Sequence, residues 1–240
     1  MKPRKDNRHT SDIRPLTLTR NYLPHAEGSC YIELGNTKVL TVASVQQQVP
    51  PWLTGKGTGW VTAEYGMLPR ATNTRNRRPV SAAQQNGRTM EIQRLIGRAL
   101  RAVTDYKGMG ENTIYIDCDV ISADGGTRTA SIIAAAVALH DACTWMLDND
   151  IIDRHPMREL IAAISVGMLG DTVAVDLDYP EDSSADVDMN LVVTETGKLV
   201  EVQGTAEGDP FARETLDAML DAAQPAIVKI IDIQKTTLGI

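Results

Sequence analysis

The stretch that decides the fold is ADGGTRTASIIAAAVALHDA, residues 123–142. Its glycine pair, Gly125-Gly126, precedes the run Thr-Arg-Thr at 127–129, after which the chain becomes almost wholly apolar. A helix that is apolar all round is typical of the interior of a protein. The sequence therefore predicts a glycine turn followed by a long core helix, which begins near Thr127 and ends at about Leu147.

The polar residues at the start of this helix predict an anion site. A helix N-terminus presents unpaired N–H groups and a partial positive charge, so an arginine is unfavourable there unless an anion is bound. Glycines let the main chain approach a ligand closely, and Thr127 and Arg128 add donors suited to phosphate. Taken alone, the stretch is equally consistent with a structure that binds no anion, in which a threonine caps the helix after the glycine turn and the arginine is exposed. Neither the P-loop motif nor the dinucleotide-binding motif is present.

Composition favours one large globular domain or two closely packed halves. The chain has 240 residues, of which 42% are hydrophobic and 23% charged. It lacks a run of eighteen apolar residues, and its basic start, MKPRKDNRHT, lacks the apolar segment of a secretory signal. Cys30, Cys118 and Cys143 are odd in number and without CxxC spacing, which indicates reduced, buried thiols in a cytoplasmic protein.

Charge is distributed unevenly along the chain. The net charge is −7, and the stretch from Asp171 to Asp221 contains fourteen acidic residues but only two basic ones. Between Tyr65 and Met90 there is no acid. This second stretch contains five arginines: Arg70, Arg75, Arg77, Arg78 and Arg88. Such a segment can attract a polyanion locally, although a solvated loop is the alternative interpretation.

The remaining pattern predicts an α+β fold. Two hairpins are indicated, Ser29–Val45 turning at Gly35-Asn36 and Met189–Thr205 turning at Thr196-Gly197. Other predicted elements are a helix over Gly87–Tyr106, strands over Asn112–Ser122, Ile161–Met168 and Thr172–Leu177, and a final helical region. Asp209 is the predicted N-cap of that last region, and Pro225 is predicted to divide it into two helices. The order suggests two similar hairpin-and-helix halves packed as one domain.

A second cluster of polar residues lies in YPEDSSADVDMNLV, residues 179–192. It contains Glu181, Asp182, Asp186 and Asp188 just before an apolar strand. Carboxylates held close together are unfavourable unless a cation or a shared proton relieves their repulsion. Hard oxygen ligands of this kind suit Mg²⁺ or Mn²⁺. A solvated acidic turn is the alternative interpretation.

Several blocks of the chain together resemble the bacterial ribonuclease PH family. They are RHTSDIRPL, LPRATNTRNRR, NGRTMEIQRLIGRALRA, DCDVISADGGTRTASI and DSSADVDMNLVVTETGKLVEVQGTAEG. The resemblance runs from Arg8 to Leu238. One departure is visible at Ile133-Ala134-Ala135, where the family commonly has Thr-Gly-Ala.

The resemblance implies a fold of the ribosomal protein S5 domain 2-like class, shared with exosome and polynucleotide phosphorylase cores, in a single RNase PH-type domain over residues 1–240. It implies a cytoplasmic, phosphate-dependent 3′→5′ exoribonuclease that trims precursor tRNA and releases nucleoside diphosphates. The implied assembly is a homo-hexameric ring, a trimer of dimers, that binds RNA and no membrane. A catalytically silent RNA-binding ring subunit is the alternative function.

The resemblance also implies roles for individual residues. The phosphate-binding residues would be Arg88, Gly126, Thr127 and Arg128, with inorganic phosphate as co-substrate. Asp182 and Asp188 would be catalytic and would hold Mg²⁺ or Mn²⁺. The resemblance does not indicate which of the two donates a proton. Arg70, Arg75, Arg77 and Arg78 would grip the RNA, mostly through its phosphates.

Overall fold

The computed structural model describes Arg4, residues 6–78 and residues 87–240. Five strands form the first sheet: β1 (Leu16–Arg20), β2 (Gly28–Leu34), β3 (Thr37–Gln46), β4 (Trp60–Met67) and β5 (Thr113–Ser122). Their spatial order is β1-β2-β3-β5-β4, and all neighbouring pairs are antiparallel except β4 with β5. The parallel pair brings the C-terminal ends of β4 and β5 to the same edge of the sheet.

A second sheet and four helices complete the described part of the chain. The strands β6 (Ile161–Leu169), β7 (Thr172–Val175), β8 (Val187–Thr194) and β9 (Leu199–Ala206) are antiparallel, in the order β7-β6-β8-β9. The helices are α1 (Gly87–Ala102), α2 (Thr127–Asp148), the single turn α3 (Tyr179–Asp182) and α4 (Arg213–Leu238). The predicted α+β class is confirmed.

Helix α2 lies at the centre of the molecule. It packs against β2 and β3 of the first sheet, β6 of the second sheet, and helices α1 and α4. Its small side chains let neighbouring elements come close: a Cβ added to Gly28 of β2 would lie 2.1 Å from the Ala138 carbonyl oxygen of α2. The unusual Ile133-Ala134-Ala135 segment is fully buried here. One continuous hydrophobic core therefore joins residues of both sheets.

By length and composition alone, α2 could also cross a membrane. In the structure, however, 78% of its most apolar segment is buried inside the protein. Its apolar residues are therefore already covered by the sheets and helices around it.

Local turn chemistry explains the elements that the sequence predicts well. Gly35 and Gly197 adopt positive φ angles of 57° and 81° in the two hairpin turns, where a residue without Cβ is favoured. Both hairpins are present, as β2–β3 and β8–β9. The three cysteines are reduced and buried, as expected.

Three details of the sequence-based prediction are wrong. Strands β1 and β4 are absent from it, and the last helix begins at Arg213 with Ala212 as its N-cap instead of Asp209. Pro225 lies within α4 and does not divide it. Since Asp221 and Pro225 are both exposed, the carbonyl that Pro225 leaves unpaired lies on the solvent side, while the opposite face of α4 stays buried along its length.

The two halves resemble each other less than the hairpin pattern suggests. The first sheet has five strands with a parallel pair, whereas the second has four strands and is wholly antiparallel. The single domain over residues 1–240 stays a prediction, and the shared core is compatible with it.

Candidate active site

Most of the proposed site residues line one open cleft of about 2020 Å³. The cleft lies where the end of β5, the start of α2, the first turn of α1 and the α3–β8 segment meet. The sequence-predicted residues that line it are Arg70, Arg77, Arg88, Gly126, Thr127, Arg128, Asp182 and Asp188. Arg75 and Arg78 are exposed on the same segment but are not part of the lining. The structure thus brings together residues that are far apart in sequence.

The Gly125-Gly126 turn allows two walls of the cleft to touch. Both residues have positive φ, 73° and 64°. A Cβ on Gly125 would lie 2.6 Å from the Leu177 carbonyl oxygen and from the backbone carbon of Asp178. Any residue other than glycine would therefore push the start of α2 away from the segment that leads into α3.

The start of α2 presents donors to the cleft. Gly126 is its N-cap, and among the described residues no side chain caps this end. The predicted alternative of a threonine N-cap is wrong, because the Thr129 hydroxyl donates to the Gly126 carbonyl oxygen at 2.8 Å and the Thr127 hydroxyl is hydrogen-bonded to the buried Tyr65 hydroxyl at 2.8 Å. Uncapped N–H groups at the end of a long helix form an anion-binding position.

The two candidate catalytic carboxylates lie on consecutive elements of the opposite wall. Asp182 is the last residue of α3 and Asp188 the second residue of β8. Burial raises the pKa of Asp182, and the nearby Asp188 carboxylate raises it further, against the opposing effect of Arg88, Arg128 and Arg14. Asp182 is therefore coupled electrostatically both to its acidic neighbour and to the cations of the anion site.

Asp186 does not share this environment. It precedes β8, is exposed, and accepts a hydrogen bond from the Gly170 N–H at 2.9 Å. It is not part of the cleft lining. Of the acids clustered in the sequence, Asp182 and Asp188 are the pair that faces the candidate anion site.

The donor set of the cleft fits a hard divalent cation. Within the described residues no group of three or more histidine, cysteine or acidic side chains could enclose a metal ion. Two neighbouring carboxylates are nevertheless suited to Mg²⁺, which usually keeps several waters and binds through one or two carboxylates and a substrate phosphate. Asp182 and Asp188 are the residues that would hold it.

A buried ion-pair network, which the sequence did not indicate, supports the acidic wall. Arg14 donates to both carboxylate oxygens of Asp176, at 2.9 and 2.7 Å, and these two residues are only 3% and 1% exposed. Arg4 binds Glu181 in the same two-pronged manner, at 2.7 and 2.6 Å. Glu181 completes the capping box of α3, so the network holds this turn in place. Because Asp182 immediately follows Glu181, the network also positions the Asp182 carboxylate.

The arginine-rich segment over residues 70–78 is anchored at one end and exposed along the rest. Ala71 is buried, and its backbone carbonyl accepts a hydrogen bond from the Ala123 N–H at 2.8 Å. Asn76 N–H donates to the Pro69 carbonyl oxygen at 2.8 Å, whereas the four arginines of the segment are exposed. Residues 79–86, which continue the acid-free stretch, lie outside the described residues.

Comparison with known families identifies the class of protein. Residues 12–144 match domain 1 of the 3′ exoribonuclease family of RNase PH type, and residues 159–226 match its domain 2. The chain belongs to this 3′ exoribonuclease family. The match supports the family and does not single out the bacterial ribonuclease PH members.

Solved structures with the same fold include exosome proteins. Rice (Oryza sativa) Rrp46 superimposes with a TM-score of 0.79 at 21% identity, covering 98% of this chain and 100% of that one. The Archaeoglobus fulgidus exosome with RNA bound to its active site gives 0.81 at 21% identity, covering 95% and 91%. An archaeal exosome core gives 0.75 at 19% identity, covering 98% and 91%. At these identities the likeness establishes the fold.

Proposed function

We propose that the protein is a phosphate-dependent 3′→5′ exoribonuclease that shortens RNA by one nucleotide at a time. The observation that carries this proposal is the presence, in one cleft, of an uncapped helix N-terminus with Arg88 and Arg128 and of the carboxylates Asp182 and Asp188. The family match supports the reaction class. The 3′ ends of precursor tRNA are the proposed natural substrate, and a homo-hexameric ring in the cytoplasm is the proposed working form.

The proposed reaction assigns each wall of the cleft a task. Inorganic phosphate would bind at the α2 start, held by backbone N–H groups, Thr127 and Arg128. One of its oxygens forms a bond to the phosphorus of the terminal nucleotide, and the bond from that phosphorus to the preceding 3′-oxygen breaks. The products are RNA shortened by one residue and a nucleoside diphosphate. Fixed placement of the nucleophile and nearby positive charge are the main sources of acceleration.

The departing 3′-oxygen needs a proton, and Asp182 is the proposed donor. Its raised pKa favours the protonated carboxyl group, as a general acid requires. Asp188 would hold Mg²⁺ as an ionised carboxylate, and Asp182 would join it as a ligand only after losing its proton. The ion would supply positive charge to the phosphate oxygens when bound.

The second candidate is a catalytically silent RNA-binding ring subunit. The structural comparisons favour it, because the similar structures described above are exosome subunits or cores. The cleft, however, combines the uncapped start of α2 and its arginines with a half-buried carboxylate of raised pKa and a second carboxylate, an arrangement that RNA binding alone does not require. The cleft is therefore better explained by a working enzyme.

Incubating a 3′-extended tRNA with the protein and Mg²⁺, with and without inorganic phosphate, separates the two candidates. The proposal requires nucleoside diphosphates to appear only when phosphate is present. Asp182→Asn, Asp188→Asn and Arg128→Ala should each reduce turnover by about 100-fold or more, with RNA binding retained. Asp186→Asn, outside the cleft, is the matched control and should keep full activity. RNA binding without any diphosphate release would instead identify the silent subunit.

A further inference from the structure

The Arg128 side chain of α2 contacts two side chains from two other elements, Glu91 of α1 and Gln203 of β9. Its Nη1 donates to Gln203 Oε1 at 2.6 Å and to Glu91 Oε1 at 3.1 Å. Gln203 Nε2 donates to the same Glu91 oxygen at 3.0 Å. These contacts form a closed triangle of hydrogen bonds behind the cleft, and neither Glu91 nor Gln203 belongs to the cleft lining.

The triangle connects the parts of the proposed site. Glu91 lies three residues after Arg88 on α1, so both side chains lie on the same side of that helix. Gln203 lies on β9 opposite Asn190 of β8, two residues along the strand from Asp188. The Arg128 guanidinium is thus held by the helix that carries Arg88 and by the strand pair that carries Asp188.

The contacts restrict how the guanidinium can turn. The Arg128 side chain is only 15% exposed, and its one ion pair among the described residues is with Glu91. A guanidinium is planar, so fixing Nη1 by two acceptors also fixes the plane of its remaining N–H donors. A donor fork ordered before the ligand arrives loses less conformational freedom on binding.

We infer that Glu91 and Gln203 are positioning residues that orient the Arg128 guanidinium toward an inorganic phosphate in the cleft. This inference rests on the proposed function for the location of the phosphate. Neither residue lines the cleft, so both would act through Arg128 and affect phosphate affinity while sparing RNA affinity. The Glu91 carboxylate has two opposite effects on phosphate affinity. It raises the affinity by orienting Arg128, and it lowers the affinity because its negative charge reduces the positive charge near the phosphate.

This opposition makes the inference testable. If Glu91 acts by orienting Arg128, Glu91→Ala weakens phosphate binding. If its charge alone matters, Glu91→Ala strengthens phosphate binding, because a negative charge is removed. Glu91→Gln keeps an acceptor oxygen for Arg128 while removing the charge, so the inference expects phosphate affinity at least equal to that of the parent protein.

A matched control lies on the same two elements. Arg98 of α1 and Glu201 of β9 form an ion pair at 3.0 Å that connects this helix and strand without touching Arg128. Glu201→Ala therefore removes a contact between α1 and β9 but leaves the guanidinium in place. The phosphate affinity of Glu201→Ala therefore shows the effect of weakening the contact between α1 and β9 in general.

The experiment measures the dissociation constant of inorganic phosphate by calorimetry and the KM values for phosphate and for RNA. Glu91→Ala and Gln203→Ala should each weaken phosphate binding about tenfold, as expected for a lost hydrogen bond to a charged group. The KM for RNA and the thermal midpoint should change little, and Glu201→Ala should bind phosphate like the parent protein. Glu91→Gln should restore the loss seen in Glu91→Ala.

Unchanged or tighter phosphate binding in both alanine variants would overturn the inference, and so would an equal loss in Glu201→Ala. The parent protein separates this result from a failure of the proposed function. Phosphate binding without RNA shortening would refute the enzyme activity while the variants still decide the inference. A parent protein that binds no phosphate would refute both.

Discussion

Arg128 lies in the first turn of a helix whose peptide dipoles already place partial positive charge at that end. The structure surrounds it with acids from other elements: Glu91 of α1 lies 3.1 Å away, and Asp182 of α3 interacts with it electrostatically. The arginine is thus stable at an unfavourable position because tertiary contacts supply negative charge. A phosphate bound in the cleft would add to the same compensation.

The ionised form of the Asp182 carboxyl group should reduce the stability of the folded protein. Its pKa is raised mainly by burial and then by Asp188, so the folded state favours the protonated form. The resulting stability is present below the pKa of the unfolded chain and is lost as pH rises through the folded pKa. Above the folded pKa the ionised carboxylate is therefore unfavourable, and in that pH range Asp182→Asn should unfold at an equal or higher urea concentration than the parent protein.

The difference in unfolding midpoint between Asp182→Asn and the parent protein should shrink as the pH is lowered through the raised pKa of Asp182, because the parent carboxyl group then becomes protonated. Asp186→Asn, on the exposed side of the same turn, is the control and should gain no stability. A lower midpoint for Asp182→Asn above the folded pKa would show that the Asp182 carboxylate stabilises the fold instead.

At the scale of elements, the contact between the α2 start and the segment leading into α3 depends on Gly125. Gly125→Ala should lower the free energy of unfolding by about 2–4 kcal/mol, because it combines a left-handed backbone with a steric clash against residues 177–178. Turnover should fall as well, since small displacements of catalytic groups are costly. Urea unfolding and diphosphate release measure the two effects.

Gly170→Ala is the matched control for this substitution. Gly170 also has a positive φ, 62°, but a Cβ there would meet nothing within 4 Å. It should cost about 1 kcal/mol, the left-handed backbone alone, and leave turnover unchanged. Equal losses in the two variants would mean that backbone strain, and not the contact with α3, determines the effect.

The elements that the sequence predicts are those with local signals. The β2–β3 hairpin has its turn residues between its strands, whereas β4 pairs in parallel with β5, more than forty residues further along the chain. Strand β1 is only five residues long, with one face exposed and the other only partly buried, so its signal in the sequence is short. For Pro225, packing of the apolar face of α4 outweighs the loss of one solvent-side hydrogen bond.

The same distinction applies to the candidate site. Arg128, Asp182 and Asp188 belong to compact motifs, and the cleft contains them. Their supporting residues have no such signal: Arg14 meets Asp176 across 162 positions of sequence, and Arg128 meets Gln203 across 75. Contacts of this kind are created by the fold, and one sequence alone does not reveal them.

At the scale of the whole molecule, we expect the exposed arginines of residues 70–78 to extend the cleft into a surface for RNA. Replacing Arg75, Arg77 and Arg78 together by alanine should raise the KM for a 3′-extended tRNA far more than the KM for phosphate. Each lost phosphate contact should also reduce the slope of log affinity against log salt by roughly 0.7–0.9. Filter binding at several salt concentrations measures this slope.

A single-stranded oligonucleotide too short to reach Arg75, Arg77 or Arg78 is the control substrate. The triple variant should shorten it nearly as fast as the parent protein does. An equal loss on tRNA and oligonucleotide, or an unchanged salt slope, would show that this segment does not contact the body of the RNA.

The central position of α2 has a consequence for biosynthesis. The ribosome releases α2 before β6 and α4, the elements that cover its second side. At roughly 5–20 residues per second, a nascent chain exposes the apolar residues of α2 for on the order of ten seconds before residue 238 emerges. During that interval the first half of the chain has no native partner for this surface. The new chain is therefore prone to aggregation until β6 and α4 emerge, and shielding of α2 by a chaperone during that interval would raise the yield of folded protein.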